Sequence, residues 1–229
     1  VVTLQALKMH GGVAQEDIKK PNIEGMKNGY WNLDKHVKNL QSFGQTVVIA
    51  FNKFATDTDE EIEVLRQHCE EMGCGFAVNN AFAEGGKGAV ELANLVVKTI
   101  DEHPSAPLYF AYKDDEPVEK KIEDVAFNLY GAGSVTMSDS AKAMIEEIKK
   151  LGAKKFPICI AKTQYSFSTD AKAYGPTEGF ELHVRDITVN MGAEMIVVIA
   201  GPIMRMPGLP KSPQAERIDV VNGEIVGLS

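Results

Sequence analysis

The sequence predicts an α/β protein in which a mostly parallel sheet with flanking helices is followed by a smaller α+β domain with antiparallel strands. Three observations carry this. Val47 to Phe51 is an unbroken apolar run rich in β-branched residues, bounded by Gly44 and Asn52, the pattern of a strand buried on both faces. A helix start follows at once, because Thr58 with Glu61 three residues on forms a capping box, and Asp57, Asp59 and Glu60 suit the positive end of a helix. Near the other end, Asn222-Gly223 stands between apolar runs from Ile218 to Val226, the strongest short-range hairpin signal.

In chain order, Val1 to Gly12 opens in an apolar run and is expected to be the end of a strand, closed by a flexible turn at Gly11 and Gly12. Val13 to Gly29 is polar and loop-like, with Pro21 as a helix breaker. Asn32 is expected to cap a helix with Leu33, Val37 and Leu40 on one face, ending at Gly44. After the Val47–Phe51 strand, Ile62, Leu65, Cys69 and Met72 recur at helical spacing. Gly73 to Val78 is a short strand candidate. The Asn79–Gly88 stretch after it is expected to be a flexible substrate loop with Phe82 at its apolar tip. A helix to Pro104 has Val90, Leu95, Val96 and Ile100 as expected core residues. Pro104, Pro107, Pro117 and an acidic cluster at 114–116 mark a boundary, giving domains 1–106 and 107–229. Beyond it, helices are expected over Val118–Tyr130 and after Ser138 or Asp139, with strands at Phe156–Ala161 and Met195–Ala200. Glu181 to Val189 alternates only imperfectly through Leu182, Val184, Ile187 and Val189, which suggests a bulge or switch of faces near Asp186.

At 229 residues with 44% hydrophobic and 24% charged composition, the chain is ordinary for a soluble globular protein. A net charge of −8 argues against a partner that is nucleic acid or a membrane surface. No apolar run approaches the roughly 20 residues of a membrane span. No signal-peptide pattern is visible, and three cysteines without tight pairing, Cys69, Cys74 and Cys159, are expected to be free, mainly buried thiols in a cytoplasmic protein.

Self-sufficient chemistry is scarce. There is no nucleophile elbow, His-Glu-x-x-His or Cys-x-x-Cys, so no catalytic residue and no metal ligand is assigned. Gly85-Gly86-Lys87-Gly88 lacks the spacing and the following Ser or Thr of a Walker motif. The acidic run from Asp57 to Glu63 is expected to be a solvated first turn. Lys162 to Ser166 supplies one cation and several hydroxyls after a strand, suited to an anion, a base edge or a plain loop. In open α/β sheets ligands bind at the carboxyl ends of the strands, which makes Phe54, in the loop after the first strand, a candidate ligand surface.

Several longer motifs point further. Val-Thr-Leu-Gln-Ala-Leu-Lys-Met-His-Gly-Gly at 2–12, Asn32-Leu33-Asp34-Lys35-His36, Phe54-Ala55-Thr56-Asp57-Thr58, Ala161-Lys162-Thr163-Gln164-Tyr165-Ser166, Met206-Pro207-Gly208-Leu209-Pro210 and Ala215-Glu216-Arg217-Ile218-Asp219 together resemble the formate–tetrahydrofolate ligases. The resemblance runs the whole chain in order and implies the C-terminal portion only of the family's polypeptide, completing a P-loop-type domain.

That resemblance implies an ATP-dependent ligase that makes 10-formyltetrahydrofolate via formyl phosphate, with ATP and Mg bound mainly by the missing N-terminal portion and its phosphate loop. It implies a homotetramer, with tetrahydrofolate, formate and ATP as ligands. It places the pterin between two aromatic rings, Phe54 and Phe82, and Asp57, in the first of their loops, is expected as a third substrate-binding residue. Phe82 stands where the family commonly has tryptophan, Ala55 where proline is usual, Gln5 where arginine is usual, and Arg205 where threonine is common. Asn52 and Lys53, directly after the strand, are weaker nucleotide-binding candidates. The alternative is a non-catalytic pterin- or nucleotide-binding or regulatory module.

Overall fold

A computed structural model of the chain describes residues 1–203 and 211–227; Arg205 and the Met206–Pro210 motif lie outside them. The first half contains helices α1 (Leu4–His10), α2 (Ile23–Asn28) and α3 (Tyr30–Ser42), strand β1 (Val48–Asn52), helix α4 (Asp59–Glu71) and strand β2 (Gly75–Asn79). A single turn, α5 (Ala81–Glu84), and a 3-10 turn lead into α6 (Val90–Glu102). β1 and β2 pair in parallel, with Asn52 opposite Asn79 at their carboxyl ends.

The opening segment differs from expectation. Only Val2 pairs with the sheet, its amide donating to the Ala50 carbonyl at 3.0 Å and its carbonyl accepting from the Asn52 amide at 2.9 Å. Thr3 then caps a helix, its hydroxyl accepting from the Ala6 amide at 3.1 Å, and Leu4 and Leu7 bury one face. Leu4 and Leu7 are three apart, and that spacing with a Thr cap outweighs the β-like look of the run. Gly11 serves packing rather than looseness: a Cβ there would lie 1.8 Å from the Gly25 carbonyl oxygen, and one at Gly29 would lie 1.9 Å from that of Leu7. These glycines let α1 and α2 touch backbone to backbone. The region expected to be loop therefore holds α2, capped by Asn22, whose side chain accepts from the Gly25 amide at 2.8 Å. α3 starts at Tyr30, two residues before the expected Asn32 cap, and Leu40 is exposed.

α6 corrects a second expectation. It has no buried residue; Val90, Val96, Val97 and Ile100 are exposed. Of the four expected core residues, Leu95 faces the sheet, 3.2 Å from where a Cβ on Gly75 would stand. Among the described residues β1 and β2 leave the other apolar side chains of this amphipathic helix uncovered.

In the second half, α7 (Val118–Asp124) continues into a π-helical turn, Val125–Tyr130, closed by Gly131 at φ 80°. Then come β3 (Ser134–Met137), α8 (Asp139–Lys150), β4 (Ile158–Ala161), β5 (Glu181–Asn190) and β6 (Met195–Ala200). Their sheet order is β3-β5-β6-β4. Within that sheet only β5 and β6 run antiparallel; β3 with β5 and β4 with β6 are parallel, so there the expected antiparallel character is confined to one pair. The irregularity near Asp186 is a bulge: Val184 faces Ala200 while Asp186 faces Ile199. Arg185 is the extra residue, and Leu182, Val184 and Ile187 all remain buried. Strands β7 (Asp219–Val221) and β8 (Glu224–Val226) form the expected hairpin, with Asn222 at φ 53° and Gly223 at φ 85°, the positive angles a tight hairpin turn requires.

Two separate buried clusters result, one between residues 2 and 76 and one between 118 and 200. Each contains a fully buried lysine, Lys8 or Lys121.

Candidate ligand pocket at the ends of the parallel strands

The candidate site sits where β1 and β2 end. Asn79 donates its side-chain amide to the Asn52 side-chain oxygen at 2.7 Å, and the Lys53 amide donates to the Asn79 carbonyl at 3.1 Å. The side-chain oxygen of Asn79 also accepts from the Ala81 amide at 3.3 Å. Two asparagines in register thus fix the start of both loops. An amide carries two donors and an acceptor with two lone pairs, so each keeps capacity for a ligand.

In the first loop the Phe54 amide donates to Asp57 Oδ2 at 2.8 Å, and the Asp57 amide returns to the Phe54 carbonyl at 3.1 Å. This closed turn presents the Phe54 ring, 45% exposed. Burial pushes the Asp57 carboxyl above its ordinary range, partly opposed by the Phe54 amide. Thr58 caps α4, its hydroxyl accepting from the Glu61 amide at 3.3 Å. Lys53 leans outward to Asp59 at 3.2 Å.

The second loop is pinned by Gly88. The Asn80 amide donates to the Gly88 carbonyl at 2.9 Å, and a Cβ on Gly88 would fall 2.4 Å from the Asn80 oxygen. That close approach accounts for a glycine in the Gly-Gly-Lys-Gly turn. Phe82 rides on α5 rather than on an irregular loop, with its side chain fully exposed. A cavity of about 620 Å³ opens between the loops, lined by Phe54 and Ala55 from one, Phe82 and Ala83 from the other, with Asn52, Lys53, Asn79 and Asn80 along its base. The structure therefore brings together Phe54, Phe82, Asn52 and Lys53. Asp57 does not line the cavity and instead holds the turn that carries Phe54. Asn79 and Asn80 were missed, although each follows an apolar strand as Asn52 does.

Beneath this pocket lies a correction to the solvated acidic run. Glu61 is 1% exposed. It pairs with Lys8 at 2.6 Å and accepts from the Asn22 amide at 2.7 Å and the Thr58 hydroxyl at 2.8 Å. Burial works against its charge, but these hydrogen bonds outweigh it and hold the carboxyl below its ordinary range. The helix that follows the Phe54 loop is thereby bolted to α1 and to the start of α2. His68 bonds Asp34 at 2.8 Å and stacks on Tyr30 at 3.9 Å. Cys69 and Cys74 are buried, and burial pushes the Cys69 thiol up to about 12. Cys159 is exposed, contrary to expectation, because β4 turns that side chain away from the core. Among the described residues no helix is long and apolar enough to cross a membrane.

The family model described as formate–tetrahydrofolate ligase matches residues 1–229. The formate–tetrahydrofolate ligases of Bacteroides fragilis and Bacteroides thetaiotaomicron are 63% and 62% identical to this chain over its full length, and that of Campylobacter curvus is 45% identical. The chain spans 41% of the length of the first two and 42% of the third. Those shares correct the expected C-terminal placement to a coarser statement: this is a stretch of under half a relative's length, and its assignment to the C-terminal end is withdrawn. With the match covering every residue, the chain belongs to the formate–tetrahydrofolate ligase family.

Proposed function

We propose that this chain supplies the pterin site of an ATP-dependent formate–tetrahydrofolate ligase, in which formate is activated as formyl phosphate and captured by the folate. The supporting observation is the cavity whose walls carry Phe54 and Phe82 and whose base is a pair of asparagine amides. A pterin is flat and polarizable with a polar lactam edge. Aromatic walls hold its faces, and amides suit its edge. Asp57 contributes by holding the Phe54 turn. Lys53 and Asn52, at the strand end, are the nucleotide-side candidates.

Phosphoryl transfer needs a cradle of amides, cations and Mg²⁺, and no Walker-type sequence occurs in these 229 residues. In this reading ATP and Mg are held mainly by the remainder of the polypeptide, which completes a P-loop-type domain with residues 1–106, while 107–229 forms a second domain. The assembly is a homotetramer, as the family resemblance implies. Two buried free thiols fit a cytoplasmic, reducing setting.

The test uses the full-length polypeptide that carries these residues. Stacking of a base on an aromatic ring is worth about 1–3 kcal/mol by truncation, so Phe82→Ala should weaken tetrahydrofolate by roughly ten- to a hundredfold. Apparent affinities for ATP and formate should hardly move. Phe54→Ala should do the same, less than additively in the double variant, and Phe82→Trp should retain or improve folate affinity. Equal losses for ATP and folate would show a structural role for the rings and end the pterin assignment. Folate binding without turnover in the full polypeptide would favour a regulatory module instead.

A further inference from the structure

A second cavity, of about 300 Å³, lies at the seam between the two halves and gathers motifs that the pterin pocket leaves unused. It is lined by His10 from the end of α1, Asn32 and His36 from α3, Tyr130, and the Lys162–Phe167 segment after β4. The His10 ring meets Trp31 edge-on at 5.7 Å, Trp31 meets Phe167 at 6.1 Å, and Phe167 meets His36 at 4.7 Å. One aromatic chain therefore holds both imidazoles in place.

The charge pattern is unusual. Lys162 is half-buried, and desolvation lowers its ammonium to about 8. Its Nζ donates to the carbonyls of Thr163, at 3.1 Å, and Ser166, and lies 4.8 Å from the Tyr130 ring centre. Among the described residues no carboxylate lies within ion-pair distance of it, whereas Lys8, Lys53, Lys149 and Lys150 each have one. Loss of water lowers His36, and the nearby His10 and Lys162 lower it further. His10 Nδ1 is buried without a hydrogen-bond partner. Groups able to carry positive charge thus converge on one small cavity, and among the described residues that line it there is no carboxylate to balance them. An unpaired, partly desolvated cation is costly, and an anion entering the cavity would offset that cost and give His10 and His36 an acceptor to donate to.

We propose that this seam cavity binds a small oxyanion of the carboxylate or phosphate class, held by Lys162 with His10 and His36. The site is separate from the pterin pocket and does not depend on it. Lys162 is the charge anchor, and the imidazoles provide directional donors once protonated. Asn32 adds a side-chain amide to the same wall.

The test is site-resolved labelling of Lys162 by an amine-reactive reagent in the full polypeptide, read by peptide mass spectrometry at constant ionic strength. The probes are sodium acetate and sodium phosphate, against sodium chloride. An oxyanion at ten times its dissociation constant should slow Lys162 labelling by about tenfold, leaving the exposed Lys142 unchanged. Protection by acetate alone assigns a carboxylate, and by phosphate alone a phosphate. His36→Asn and His10→Asn should each lose most of the protection while Lys162 still reacts. Equal Lys162 labelling in all three salts would overturn the proposal, as would full protection persisting in both histidine variants.

Discussion

The two halves of the molecule each bury a lysine, and they accommodate it in different ways. Lys8 is matched by a carboxylate, Glu61, at 2.6 Å and also donates to the Lys20 carbonyl at 2.8 Å. Among the described residues Lys121 has only neutral partners: the carbonyls of Lys154 and Phe156 at 2.8 and 3.1 Å and the face of Tyr112 at 5.4 Å. Burial lowers the Lys121 ammonium, and Asp114, Glu116 and Asp115 act against that from a distance. The first arrangement ties three separate segments to one charge pair. The second uses a charge to close carbonyls left open where the turn after α8 meets β4. A buried charge is therefore a framework device in one half and a capping device in the other.

The largest effect that sharpens this contrast belongs to Glu61→Gln. It leaves Lys8 charged and unpaired in the core and should cost about 3–5 kcal/mol in chemical denaturation. Adding Lys8→Met should recover part of that, because the stranded charge goes while the glutamine amide offers Asn22 and Thr58 one acceptor oxygen in place of two; a strictly additive double variant would mean that the pair does not act as a unit. Lys121→Met strands no carboxylate and loses hydrogen bonds to carbonyls, so about 1–3 kcal/mol is expected. A loss as large as that of Glu61→Gln would erase the distinction.

The two sites should also separate by pH. Glu61 has a folded pKa below its ordinary 4.5, so its contribution is present above that value and disappears as pH falls through the folded pKa; Glu61→Gln should flatten this acid limb. Lys121 has a folded pKa below its ordinary 10.5. In the window between the two values the unfolded chain holds more protons, so stability rises with pH there, and Lys121→Met should lack that rise. Urea denaturation across both windows checks the signs. The smallest effect is the control: Phe82, exposed on its single turn, should change stability by less than about 0.5 kcal/mol when replaced by alanine, whatever it does to ligand binding.

Much of the local structure was legible because it is encoded locally. Thr58 caps α4, Asn222-Gly223 turns the hairpin, and the broken alternation around Asp186 is a bulge. What escaped was set by partners far along the chain. Nothing near Glu61 announces Lys8, 53 positions earlier, and nothing near Val97 or Ile100 says that the described residues leave them uncovered. The opening run failed for another reason: its apolar start looks like a strand, whereas the three-residue spacing of Leu4 and Leu7 and the Thr3 cap make it a helix. For the pocket, the strand-end rule singled out Phe54, the Asn79–Gly88 loop put Phe82 at its tip, and the family resemblance paired them. Asn79 was overlooked because an asparagine after a strand also looks like an ordinary turn residue.

The bulge at Arg185 has a consequence for how this chain tolerates changes in length. With one extra residue between Val184 and Ile187, both side chains point inward although they are three positions apart. Removing Arg185 alone would leave a regular strand whose apolar side chains still face the core, at the expense of the Arg185 carbonyl that accepts from Ser138 at 2.6 Å and Ser140 at 3.3 Å. Inserting or removing a single residue between Ile187 and Asn190 has no such escape, because every side chain beyond the change would turn over. The bulge at 185–186 is thus where β5 can lose a codon without inverting the strand.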